Sequence, residues 1–73
     1  MIEVRFHQGL YAGEAVDAAV STLRAYGTLA QKEEGSYWVV AVEASTPERT
    51  LRLSRELMNY ALGLTVERHV EQG

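Results

Sequence analysis

Two histidines, His7 and His69, are the only imidazoles in the chain, and no cysteine accompanies them. A transition-metal site draws on His, Cys and carboxylates at set spacings, such as two ligands one helical turn apart. His7 stands at the end of an alternating segment, and His69 has only Glu67, Glu71 and Gln72 close by in sequence. Both read as surface residues, and no metal ligand is expected. Ser21, Ser36, Ser45 and Ser54 lie in no G-x-S-x-G elbow, so hydrolysis through a serine nucleophile has no candidate. Glu33 and Glu34 are adjacent carboxylates beside Gly35. At such a turn neither is desolvated, as acid–base work by a carboxylate pair requires. Gly9 and Gly13 bracket a connection of the kind that cradles phosphate at a helix start, yet neither the dinucleotide nor the Walker glycine pattern is present. Arg49, Arg52 and Arg55 recur every three residues, interleaved with Glu48 and Glu56 in a chain of net charge −3. That pattern reads as a solvated helix face rather than a nucleic-acid contact. No catalytic or cofactor-binding residue is expected, and the chain is read as not an enzyme.

The elements that carry these residues must come from one small domain, since 73 residues leave no room for a second core. Hydrophobic residues make up 47% and charged ones 23%, with a single proline, which is the composition of a folded chain. No apolar run approaches the roughly 20 residues that a bilayer requires. The opening Met1–His7 segment is charged from Glu3 onward, unlike a signal peptide. A cytoplasmic protein without disulfides is expected, with neither nucleic acid nor membrane as partner.

Residues 2–7 alternate, with Ile2, Val4 and Phe6 opposed to Glu3, Arg5 and His7, which predicts a half-buried strand. From Gly13 to Tyr26 the period becomes helical, with Val16, Ala19, Val20, Leu23 and Tyr26 on one stripe. Leu10 is expected to staple the first turn, and Gly27 to take the left-handed position that ends the helix. A weaker strand at 28–33 and a strong one at 36–42 flank the Glu34-Gly35 turn as a hairpin. Trp38, Val40 and Val42 share one face of the strong strand, with Trp38 expected in the core against Val20 and Leu23. Tyr37, Val39 and Ala41 share the other. Thr46 and Pro47 mark a helix start as N-cap and first helical residue. Its end is open on local grounds. Gly63-Leu64 resembles a stop, followed by residues 65–70 as a fourth strand in a ferredoxin-like βαββαβ order. Alternatively Met58, Leu62, Val66 and Val70 continue the helix.

Several segments resemble the HxsD family, small proteins of His-Xaa-Ser systems. They are Ile2-Glu3-Val4-Arg5-Phe6, Leu10-Tyr11 with Glu14-Ala15-Val16 and Ala18-Ala19, the strand Tyr37-Trp38-Val39-Val40, and Glu56-Leu57-Met58-Asn59-Tyr60-Ala61-Leu62 with Val66-Glu67-Arg68. Leu57-Met58-Asn59 matches the start of the family's final-helix signature. Tyr60 stands where an acidic residue is common, and Gly63-Leu64 replaces polar helix formers. The resemblance implies a helical final segment, hence an α+β two-layer sandwich of β-α-β-β-α order with a three-stranded sheet. It also implies an accessory role in a radical-SAM peptide-modification system, with the precursor peptide or a maturase as partner.

Two surfaces are expected to matter. A helix from Pro47 to Val70 outruns strands of about six residues by roughly 15 Å, leaving Leu64, Val66 and Val70 as the contact of a homodimer. On the uncovered sheet face, Tyr37, Val39 and Ala41, with Lys32 on the 28–33 strand as a receptive edge, form the candidate partner surface.

Overall fold

The computed structural model describes residues 1–72, with side chains through Glu67. Strand β1 is Ile2–His7, helix α1 Gly13–Leu23, strands β2 and β3 Thr28–Glu34 and Tyr37–Glu43, and helix α2 Pro47–Gln72. The sheet is antiparallel in the order β1-β3-β2. The most apolar strand is thus the central one, as its two apolar faces require. Gly35 adopts φ 60°, the sign that the first central residue of a II′ turn needs. Val4, Phe6, Leu29, Val40 and Val42 all point to one sheet face and meet Val16, Ala19, Val20, Leu23, Leu53, Leu57 and Ala61 from the two helices. The molecule is therefore a two-layer α+β sandwich with one face of its sheet uncovered.

Helix α2 runs unbroken through Gly63 for 26 residues, about 39 Å, so residues 65–70 form no fourth strand. Leu53, Leu57 and Ala61 anchor it on the core, and that tertiary packing outweighs the local stop signal of a single glycine. The N-cap is as read: Arg49 N–H donates to Thr46 Oγ1 at 3.1 Å. Thr50 ties this helix to the strand before it. Ala44 N–H donates to Thr50 Oγ1, which in turn donates to the Thr46 carbonyl, both at 2.9 Å.

Four local expectations are corrected. Gly27 has φ 173°, an extended conformation open to any residue, so it is no left-handed cap. A Cβ there would lie 2.7 Å from both the Glu43 carbonyl oxygen and Leu53 Cδ2, and glycine is required for close approach instead. Helix α1 stops at Leu23, and a 3-10 turn, Arg24–Tyr26, carries Tyr26 beyond the packed layer to 71% exposure. Leu10 is exposed and staples nothing. Tyr11 packs there instead, edge-on to Phe6 at 5.0 Å. Trp38 faces the core side but is half-buried. Its indole lies against Gly13, where a Cβ would stand 2.9 Å from Trp38 Cζ2, at the opposite end of α1 from Leu23.

Candidate protein-interaction surfaces

The uncovered sheet face is polar rather than an open apolar strip. Register sets Val39 between Arg5 of β1 and Lys32 of β2. Arg5 pairs with Glu34 at 3.9 Å, reaching from one edge strand to the other across β3, and Lys32 pairs with Glu34 at 3.2 Å. Long side chains that lie along a surface cover apolar neighbours with their stems, and Val39 is only 1% exposed. Ala41 is half-buried, while Tyr37 stays partly open with His7 edge-on at 5.1 Å. His7 Nδ1 accepts the Gly9 N–H at 3.0 Å, a turn contact. Of the four residues expected to meet a partner, Lys32 and Tyr37 are accessible, and Val39 is not.

A groove of about 600 Å³ lies between the end of α1 and α2, lined by Thr22, Leu23, Tyr26, Arg49, Arg52, Leu53, Glu56 and Tyr60. Two features build it. The 3-10 turn swings Tyr26 out of the core, and the helical advance of α2 sets Arg49, Arg52, Glu56 and Tyr60 along one flank. The groove holds two guanidinium groups against one carboxylate, in a chain that is acidic as a whole. Exposed tyrosines beside arginines over an apolar floor are what binding hot spots are made of. The regular spacing of the three arginines hid this arrangement, because the residues do not share a face. Arg55 lines a different groove, on the other flank of α2.

That second groove, of about 410 Å³, runs between β1 and α2 and is lined by residues 2–6 with Tyr11, Leu51, Ser54, Arg55 and Met58. Among the described residues strand β1 pairs only with β3, so its outer edge is left unpaired by them along this groove. It is the position that a fourth strand would take in a ferredoxin-like sheet. On α2 the buried stripe includes Thr50, Ser54 and Thr65, whereas Leu51, Met58, Leu62 and Val66 are exposed. Apolar side chains therefore stand outside while hydroxyls stand inside. Of the residues expected at a dimer contact, Leu64 is half-buried beside the buried Thr65, so the packed body reaches further along α2 than the strand lengths imply. Val66 is 52% exposed, and the Val70 side chain lies outside those described.

Among the described residues, no three His, Cys, Asp or Glu side chains are grouped to hold a metal ion, and no helix is long and apolar enough to cross a membrane. Comparison with protein-family models, curated proteins and solved structures finds no match to this chain.

Proposed function

We propose that this chain is a non-enzymatic accessory protein that binds a peptide or protein partner within a His-Xaa-Ser-type radical-SAM peptide-modification system. The observation that carries the binding reading is the groove between the helices, with Tyr26 and Tyr60 exposed over Leu23 and Leu53 and flanked by Arg49 and Arg52. It suits a segment that offers an apolar or aromatic side chain to the tyrosines and a carboxylate to the arginines. The system is supported by the HxsD resemblance. Its segment at 56–62 contributes Glu56 to this groove, and Tyr60, the departure from the family pattern, stands there too. A cytoplasmic location fits such a role.

The test is a calorimetric titration of the chain with the precursor peptide and with the maturase of the same system. Wild-type protein binds one of them, and Tyr60→Ala and Arg52→Glu each weaken binding about tenfold or more, as truncation of a hot-spot residue does. Absence of binding to both, or affinity unchanged in both variants, rejects the proposal.

A further inference from the structure

The free edge of β1 carries a second inference, independent of the groove between the helices. Gln8 N–H donates to the Ser36 carbonyl at 2.9 Å, and Gln8 stands opposite Ser36 in the continued β1–β3 register. Antiparallel pairing alternates, so even-numbered residues of β1 bond to β3 and the N–H and C=O groups of Glu3 and Arg5 point outward. The His7 carbonyl already accepts from Leu10 and Tyr11, which leaves its N–H as the last edge donor. The two sheet edges differ in protection. Edge strand β2 ends in Gln31-Lys32-Glu33-Glu34, charged on both faces, the usual device against pairing. Edge strand β1 alternates apolar and charged residues, with the exposed Leu51 and Met58 of α2 beside it.

We infer that the occupant of this edge is β1 of a second copy, paired antiparallel across a two-fold axis at Val4, making one six-stranded sheet. Charge selects this partner and this register. An antiparallel two-fold pairing through the outward odd-numbered groups has three central alignments. An axis at Glu3 sets Glu3 against its own copy, and an axis at Arg5 does the same with Arg5, each placing like charges together. The axis at Val4 sets Glu3 opposite Arg5 of the second copy and Arg5 opposite its Glu3. Val4 then faces Val4 and Ile2 faces Phe6 on the helix side. Among the described residues Glu3 has no ion pair, and the only one made by Arg5 is the exposed contact to Glu34. The same axis brings the two α2 flanks toward each other. The stripe Leu51, Arg55, Met58, Leu62 faces its copy, with the Arg55 stem long enough to keep its guanidinium in water. Two-fold dimers with a self-complementary patch are the commonest oligomers.

Sedimentation equilibrium at micromolar concentration, with hydrogen exchange at two concentrations, tests it. The wild-type chain is a dimer, and exchange at the Glu3 and Arg5 amides slows as concentration rises. Glu3→Arg or Arg5→Glu alone replaces both opposite-charge pairs with like-charge pairs and raises the dimer dissociation constant about tenfold. The double exchange Glu3→Arg/Arg5→Glu restores it to within about threefold. Both residues are exposed, and circular dichroism verifies that each variant is folded. A wild-type monomer, or a dimer indifferent to both single reversals, overturns the inference, the latter moving the contact to another surface such as Leu64 and Val66. Either result leaves the partner titration above unaffected.

Discussion

Replacing Gly27 with alanine should destabilise the domain, against the ordinary expectation for such a change. Where glycine occupies extended backbone, alanine usually stabilises by about 0.4–1 kcal/mol, because the unfolded chain loses freedom. Gly27 is extended, at φ 173°, so no torsional strain opposes the change. The obstacle is space. The new Cβ would stand 2.7 Å from the Glu43 carbonyl oxygen and 2.7 Å from Leu53 Cδ2, when ordinary contact begins near 3.4 Å. Neither neighbour yields easily. Glu43 is fixed opposite Thr28 at the end of the β2–β3 ladder, and Leu53 is buried in the core. Overpacking of this kind costs about 1–3 kcal/mol, so the net loss is on the order of 1–2 kcal/mol. A chain of 73 residues is stable by about 4–11 kcal/mol, and each kcal/mol lowers the melting temperature of so small a domain by about 4–8 °C. Urea titration followed by circular dichroism should show an earlier midpoint at unchanged slope. A midpoint equal to or later than wild type would falsify the close-approach explanation.

Gly63→Ala is the converse case. Gly63 lies inside α2, and among the described residues outside the helix's own backbone nothing stands within 4 Å of the added Cβ, so alanine should stabilise by about 0.5–1 kcal/mol. A loss of stability in the same titration contradicts a continuous helix. Thr50→Val keeps the shape but strands the Ala44 N–H, bonded to Thr50 Oγ1 at 2.9 Å, and should cost about 1–3 kcal/mol. Thr50→Ser keeps the hydroxyl and should lose clearly less. Equal losses in the two variants would assign the effect to the methyl group rather than to the hydrogen bond.

The features legible in the sequence are those whose cause is local. Alternation at Ile2–His7 fixes both β1 and its buried face. Gly35 carries the sign of φ that the hairpin demands, and Thr46 with Pro47 marks the start of α2. The features that escaped depend on neighbours distant in sequence. Gly27 follows a helix and so suggests a cap, but its requirement comes from Glu43 and Leu53, which no local pattern reveals. Val39 belongs to the sheet face that the helices leave open, where alternation implies exposure, yet it is buried, standing in register between the long side chains of Arg5 and Lys32 on the flanking strands. Tyr26 fits the helical period of Val16–Leu23, yet the helix tightens after Leu23 and the ring turns outward. This last departure builds one wall of the candidate site, so its aromatic half could not be read from periodicity. The arginines could have been divided by angle alone, since steps of three residues on an α-helix drift off a common face.

The proposal that a partner docks between the helices is tested most directly by its footprint on the folded protein. Isotope-labelled chain is titrated with the precursor peptide while backbone amide shifts are followed. The expected shifts cluster at 22–26 and 49–60, with the largest at Tyr26, Arg52 and Tyr60, and those of β2 stay in place. Shifts confined to the 28–34 strand would contradict the account and return the partner to the sheet edge that carries Lys32.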